Sequence, residues 1–313
     1  MRPSLLRCAA AAAAALAALG LMACTRGPAA ARPAPATVLA SESFLADIAG
    51  AVAGDRIAVT TLVPIGADPH SWEPAPRDAA AVAHAALFIV NGNGLESFLA
   101  PLLESISGPR VVEASAGLAP RVPREGEPAA GDGSHETDPH FWLDPLNVVR
   151  YAENIRDALS ALDPAGADVY RANAAAYAEK LRELDGWIAA EVARVSPERR
   201  LLVTNHESLG YFADRYGFRI VGTVIPSVST GSSPSARQLA DLVERLRETG
   251  APAVFVEENA DTKVARQLAD EAGVRLVTDL RTHTLSGPDG PAPTYLAMMR
   301  ADVRTIVDAL EAP

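Results

Sequence analysis

Runs of apolar residues alternate along the chain with segments in which apolar residues recur every three or four positions. The continuous runs predict buried strands of parallel sheets, at residues 37–40, 87–90, 201–204 and 253–257. The periodic segments predict helices with one apolar face, at residues 41–53, 147–161, 235–248 and 262–272. Strands that alternate with helices in this way are typical of an α/β fold with mainly parallel sheets flanked by helices.

One helical segment is much longer than the others. Residues 163–196 contain no proline after the second position, and one apolar face continues through Tyr170 and Leu181. Thirty residues of helix would be about 45 Å long, which is enough to connect two lobes. We therefore predict an N-terminal α/β lobe at residues 37–162 and a C-terminal α/β lobe at residues 197–313, joined by this single rigid helix.

Residues 1–23 predict an export signal. Arg2 and Arg7 precede an apolar run, rich in alanine and leucine, that is too short for a good membrane-spanning helix. The run ends in the sequence LMAC, which resembles a bacterial lipobox, so Cys24 would be lipidated and become the mature N-terminus. Ordinary cleavage nearby, which would release a free protein, is the alternative. Residues 24–36 are rich in proline and alanine, which predicts a linker between the lipid and the folded body.

Three histidines follow predicted strands within distinctive loop sequences. His70 ends the sequence GADPH, His140 lies in DPHFWLDP, and His206 lies in NHESLGYF. Ligands of open α/β sheets bind beyond the carboxyl ends of the strands. These histidines, together with Asp279 after the strand predicted at residues 274–278, therefore predict a metal site in the cleft between the lobes. Taken singly, each histidine could be an ordinary loop residue, and Asp279 could cap a turn.

Composition limits the chemistry of such a site. The only cysteines are Cys8 and Cys24, so a metal in the mature chain must be held by His, Asp, Glu or water. Three imidazoles and one carboxylate complete a four-coordinate zinc site, while a bidentate Asp279 would raise the coordination number for manganese. The formal net charge is −11 and becomes −13 without the two arginines of the signal, which argues against a nucleic acid partner.

The three histidine sequences resemble those of the metal-binding solute-binding lipoproteins of bacterial ABC importers for zinc and manganese. The resemblance extends from about residue 38 to residue 310. It implies two α/β lobes joined by a rigid helix, a transported metal bound between them, and delivery to a cognate ABC permease. It also implies that Asp279 is the carboxylate ligand. We expect an exported monomer that is anchored to the cell membrane and faces the periplasm or the extracellular side.

The resemblance favours zinc over manganese. Manganese binders of the family commonly place Glu where this chain has His206, whereas zinc binders commonly have His. Many zinc binders also carry a long His-rich loop before the second histidine sequence. Here the loop at residues 119–137 contains only His135, which is a candidate accessory ligand in an otherwise solvated loop. Manganese therefore stays an alternative as the transported metal. Trp142 and Glu257 are candidates for supporting the ligating rings.

Two other functions are alternatives to metal capture. A zinc-dependent hydrolase needs an open coordination position and a general base, a role in which Glu207 could be imagined. However, Asp279 would close the site, and the sequence has neither an HExxH motif nor a nucleophile elbow. Some relatives were described as surface adhesins, but no feature of this chain favours adhesion. The sequence thus predicts a binding protein and not an enzyme.

Overall fold

Two four-stranded parallel sheets form the framework of the protein. The computed structural model describes residues 37–105, 110–122, 127 and 137–311. The first sheet has the order β2-β1-β3-β4 and the second the order β6-β5-β7-β8, with all neighbours parallel. The strands are β1 Val38–Ala40, β2 Val59–Thr61, β3 Leu87–Val90, β4 Arg110–Glu113, β5 Leu201–Thr204, β6 Arg219–Thr223, β7 Ala253–Glu257 and β8 Arg275–Leu280. The predicted fold class is confirmed.

Helices flank both sheets. They are α1 Ser43–Ala53, α2 Pro76–His84, α3 Ala100–Ser105, α4 Pro145–Leu162, α5 Ala167–Val192, α6 Gly210–Tyr216, α7 Ala236–Thr249, α8 Lys263–Ala272 and α9 Tyr295–Glu311. Within the described part of the chain, none of them combines the length and the apolar character that crossing a membrane requires.

The long helix α5 begins at Ala167, four residues after the start predicted at residue 163. A 3₁₀ turn, Pro164–Gly166, precedes it, and the Asp163 side chain does not cap the backbone. Instead its carboxylate accepts hydrogen bonds from Arg56 and from the Tyr170 hydroxyl, both at 2.7 Å. At 26 residues, α5 is about 39 Å long, and it connects the two sheet-bearing lobes. The exact lobe boundaries stay a prediction.

A continuous apolar core joins the lobes. It runs along α5, which packs against α1, α4 and α9, and it includes the inner faces of both sheets. Two smaller clusters fill the outer faces, one under α2 and α3 and one under α7 and α8. Trp142 lies fully buried in the main core, where its ring stacks on Phe44 at 4.4 Å between centroids. The two lobes thus share one packed core along α5.

Candidate metal centre

Four histidine side chains converge between the two sheets. They are His70, His140, His206 and His283, and their ligand atoms all lie within 4.8 Å of one another. His140, His206 and His283 are buried, whereas His70 is half-buried. The structure therefore brings together three of the four residues that the sequence singled out, and adds a fourth histidine.

The four rings point the same atom, Nε2, at a common centre. Nε2 of His140 lies 3.0 Å from that of His283 and 3.4 Å from those of His70 and His206, and Nε2 of His70 lies 3.2 Å from that of His283. A tetrahedral ion with zinc–nitrogen bonds of 2.0–2.1 Å requires nitrogens about 3.3–3.4 Å apart. These four distances are close to that separation, and all the ligand atoms lie within 4.8 Å of one another, so the cluster can surround a single ion.

The two Asp-Pro-His sequences fold into the same local turn. The backbone N–H of His70 donates to Oδ1 of Asp68, and that of His140 donates to Oδ1 of Asp138, each at 2.9 Å. An Asp side chain that accepts from the backbone two residues ahead closes such a turn, and the intervening proline fixes φ. The sequence therefore presents each histidine from a stiff loop.

Asp138 also orients the ring of His140. Its Oδ1 lies 2.7 Å from Nδ1 of His140, so Nδ1–H donates to the carboxylate and leaves Nε2 free of a proton. Metal-binding histidines usually have such a partner for the second ring nitrogen. The Tyr211 hydroxyl donates to the Asp138 carbonyl at 2.9 Å and fixes the same loop from the other lobe.

Glu257, at the end of β7, supports the two histidines of the second lobe. Its Oε1 lies 3.1 Å from Nδ1 of His206, which is an ion-pair distance. The Thr282 hydroxyl donates to the same Oε1 at 3.2 Å, and it lies 2.7 Å from Nδ1 of His283. One buried carboxylate therefore supports His206 directly and His283 through a hydroxyl.

The electrostatics of the cluster keep three of its rings neutral. Burial lowers the pKa of His70 to about 2, helped by the neighbouring His206 and His140. Burial likewise holds the pKa values of His140 and His283 well below 6.5. Burial also lowers the pKa of His206, but the Glu257 carboxylate more than offsets this, so that pKa is raised. At neutral pH, lone pairs are therefore available for a cation.

Asp279 does not join the cluster, which corrects the sequence analysis. Its side chain is exposed, and its Oδ1 accepts a hydrogen bond from Thr278. The register of β7 and β8 shifts so that one residue of β7 faces two of β8 just before Glu257 pairs with Leu280. This bulge lies at Asp279 and extends the strand past the predicted end. Asp279 is consequently a strand residue that faces away from the cleft.

His283 takes the place predicted for Asp279 and is not among the residues predicted from the sequence. It lies three residues beyond the end of β8, in a segment that composition alone marks as a flexible loop. The available signal was its resemblance to His206, which lies two residues beyond β5. In both places a histidine lies soon after a strand end, where ligands of open α/β sheets bind.

The remaining predicted residues have different placements. Trp142 packs its ring against His140, at 5.2 Å between centroids, and donates from Nε1 to the Thr282 carbonyl at 2.7 Å. It thereby contacts a ring of the cluster and also fixes the segment that carries His283. His135 and Cys24 lie outside the described residues.

Replacing Glu257 with glutamine should weaken zinc binding by about tenfold to a hundredfold. The amide keeps the size of the side chain but removes the charge that faces His206 and changes the acceptor for Thr282. Competitive titration with a chromogenic chelator measures the change. Glu258→Gln is the matched control, because this neighbour pairs with Arg281 outside the cluster. Equal affinity of the Glu257 variant and the wild type would contradict the supporting role.

Comparison with known proteins assigns the chain to a family. Residues 38–309 match the family described as "Zinc-uptake complex component A periplasmic". The chain belongs to this family. Its members are metal-binding substrate-binding components of ABC transporters, so the chain is a binding protein and not an enzyme, as the sequence predicts.

Relatives within this family are named for different metals. The chain is 38% identical over 273 residues to the manganese-binding lipoprotein MntA of Halalkalibacterium halodurans, covering 87% of this chain and 88% of that protein. It is 35% identical over 269 residues to the iron-binding protein YfeA of Yersinia pestis, covering 86% and 84%. The manganese-bound periplasmic metal binding protein from Candidatus Liberibacter asiaticus has a TM-score of 0.77 at 32% identity, covering 88% and 99%.

Proposed function

We propose that this protein captures a divalent transition metal outside the cytoplasm, with zinc preferred over manganese, and delivers it to an ABC permease for import. The observation that carries the proposal is the convergence of four Nε2 atoms, with four of their mutual distances between 3.0 and 3.4 Å, formed by His70, His140, His206 and His283. The metal is the cargo of the protein, so the binding site must both hold it and release it.

The donor set is the reason for preferring zinc. Imidazole nitrogen suits zinc, whereas manganese prefers carboxylate, carbonyl and water oxygens and commonly takes more than four ligands. No carboxylate belongs to the cluster that the described residues form. The replacement of the predicted Asp279 by His283 makes the cluster richer in nitrogen than the sequence analysis assumed.

Two buried carboxylates balance the charge of the cargo. Asp138 and Glu257 are both less than a tenth exposed, and each lies within hydrogen-bond or ion-pair distance of a histidine in the cluster. Ionised, they carry two negative charges against the two positive charges of the ion. A divalent cation can thus enter the low-dielectric cleft without leaving an uncompensated charge.

Direct contacts between the lobes surround the loop that carries His70. The Gly66 N–H donates to Oγ1 of Thr284 at 2.8 Å, and Nδ2 of Asn259 donates to the Gly66 carbonyl at 3.1 Å. The Thr230 hydroxyl donates to Asp68 at 2.5 Å. Together with the single connecting helix, these contacts support capture and release through local movement of the loop with only small lobe displacements.

The proposal includes the placement of the protein in the cell. Lipidation of Cys24 would tether the folded body to the membrane through the linker at residues 24–36, and the body would work as a monomer. The residues from Ala36 to Pro313 form one compact unit, which supports expression of a soluble form lacking residues 1–24.

Metal analysis and competitive titration of this soluble form test the function. We expect one tightly bound zinc per chain and a weaker affinity for manganese, since the latter must accept four nitrogen ligands. The His206→Ala variant should bind zinc much more weakly. A wild type that prefers manganese or iron, or a His206→Ala variant that binds zinc unchanged, would contradict the proposed preference or the proposed site.

Metal binding should release about two protons per ion at pH 6 and fewer as the pH rises. The pKa of His206 is raised above 6.5, and burial raises the pKa of Asp138 to about 7, so both groups hold protons below pH 7 that a cation would expel. His70, His140 and His283 are already neutral there. The affinity for the metal is therefore highest above these pKa values, and it decreases as the pH falls through them.

Titration calorimetry in buffers of different ionisation enthalpy counts these protons. Release of three or four protons at pH 6 would show that the four rings have ordinary pKa values. It would contradict the lowering of three of these pKa values by burial. The Glu257→Gln variant provides an internal check, because removal of the carboxylate should lower the pKa of His206 and reduce the count.

A further inference from the structure

A cavity of about 280 Å³ lies between the lobes beside the histidine cluster. Its wall includes His283, so it reaches the ligand cluster directly. Three carboxylates also line it: Asp68 from the first lobe, and Glu257 and Asp261 from the second. Among the described residues that form this wall there is no lysine or arginine. The cavity therefore carries a negative charge at the approach to the cluster.

A second cavity, of about 340 Å³, reaches the cluster from the side of His70. The described residues of its wall bear no carboxylate, and its polar groups include Asn93, Thr137 and Ser229.

A third cavity, of about 280 Å³, also reaches His283, but its one carboxylate, Glu258, pairs with Arg281 at 2.6 Å. Of these three cavities, the one lined by Asp68, Glu257 and Asp261 therefore carries the largest negative charge. Coulomb attraction would concentrate cations in that one.

Glu257, which lines the charged cavity, has one carboxylate oxygen without a hydrogen-bond donor. The residue is 94% buried, since its exposed fraction is 6%. Its Oε1 serves His206 and Thr282, but its Oε2 is buried and has no hydrogen-bond partner. A buried carboxylate oxygen without a donor is costly, and a cation or its bound water would satisfy it.

We propose that the cavity lined by Asp68, Glu257 and Asp261 is an entry site, at which a hydrated divalent cation first binds through oxygen ligands before it exchanges water for the four imidazoles. The inference rests on the proposed function of the histidine cluster and adds the route by which the metal reaches it. Carboxylate oxygens suit a cation that still retains much of its water. His283, on the shared wall, would then be the first ring to replace a water molecule.

Asp261 offers a clean test, because it is exposed and lies outside the histidine cluster. Its Oδ1 accepts a hydrogen bond from the backbone N–H of Lys263, and asparagine keeps that acceptor. Asp261→Asn therefore removes one charge from the cavity without removing the turn. Asp270→Asn is the matched control, because it removes the same charge from an exposed position on α8 that does not line the cavity.

The experiment measures zinc association and dissociation by stopped flow in the soluble form, with tryptophan fluorescence as the signal, since Trp142 contacts His140. Ionic strengths of about 10 mM and about 150 mM give weak and strong screening. We expect Asp261→Asn to lower the association rate at least about threefold at low salt, with an unchanged dissociation rate and a smaller difference at high salt. Asp270→Asn should match the wild type.

Each other outcome overturns a distinct part of the reasoning. If both variants slow association equally, the effect comes from the net charge of the protein, and the proposed entry site is contradicted. If Asp261→Asn leaves association unchanged or alters only dissociation, the cavity is not the route. If the wild type binds no zinc at all, the proposed function itself fails, and the entry site fails with it.

Discussion

The His283→Ala variant should bind zinc at least about a hundredfold more weakly than the wild type, whereas Asp279→Ala should bind it unchanged. His283 contributes one of four nitrogens, and its Nε2 lies 3.0 Å from that of His140. Loss of one ligand leaves three protein ligands and a water molecule in the fourth position, and loss of a single hydrogen-bonded supporting group already costs tenfold to a hundredfold. Asp279 is exposed and outside the cluster.

Competitive titration of both variants against one chelator makes the comparison direct. Asp279→Ala serves as the control for the loop, because it lies four residues from His283 and should not alter the fold. A strong loss of affinity in Asp279→Ala with little change in His283→Ala would restore the ligand set expected from the sequence. It would also mean that β8 ends earlier than the structure shows.

Trp142→Ala should lower the free energy of unfolding by about 3–5 kcal/mol. The ring is fully buried and stacks on Phe44, so its removal opens a cavity in the core shared by the two lobes. The Thr282 carbonyl would lose the indole N–H that it accepts at 2.7 Å. Tyr295 packs against the same region, since its hydroxyl donates to the Trp142 carbonyl at 2.6 Å.

Chemical denaturation without metal measures this loss. Trp187→Ala is the matched control, because Trp187 is only partly buried and lies against Arg300 and Arg304 on the surface of α5 and α9, so its loss should cost much less. Trp142→Phe keeps an aromatic ring on Phe44 but removes the N–H that donates to the Thr282 carbonyl. This loss should lower the free energy of unfolding by about 1–3 kcal/mol. Equal destabilisation by the two alanine variants would contradict a special role of Trp142 in the core.

The relatives are named for different metals, which indicates that the fold alone does not determine which metal is bound. A manganese-binding lipoprotein and an iron-binding protein both align with more than four-fifths of this chain. The choice must then depend on the donor atoms in the cleft and on the carboxylates that hydrogen-bond to them. In this chain the described residues of the cleft present four imidazoles, with Asp138 and Glu257 next to two of them.

The sequence alone determined the α/β character, the long helix and three histidines of the cluster. Continuous apolar runs and helical periodicity are local properties, so they mark strands and helices without knowledge of the fold. The Asp-Pro-His turns are also local, because aspartate and proline fix the backbone around His70 and His140 through neighbours two residues away. Local chemistry was therefore sufficient for these features.

The fourth histidine, His283, and the role of the supporting carboxylate, Glu257, are apparent only from the tertiary structure. A one-residue bulge between β7 and β8 turns Asp279 outward and lets the chain reach the cleft at His283. Such a shift depends on how two strands pair, and because side chains alternate along a strand, one extra residue reverses which of them face the cleft. The link from Glu257 to His206 and Thr282 likewise joins residues that are distant in sequence and meet only when the sheet forms.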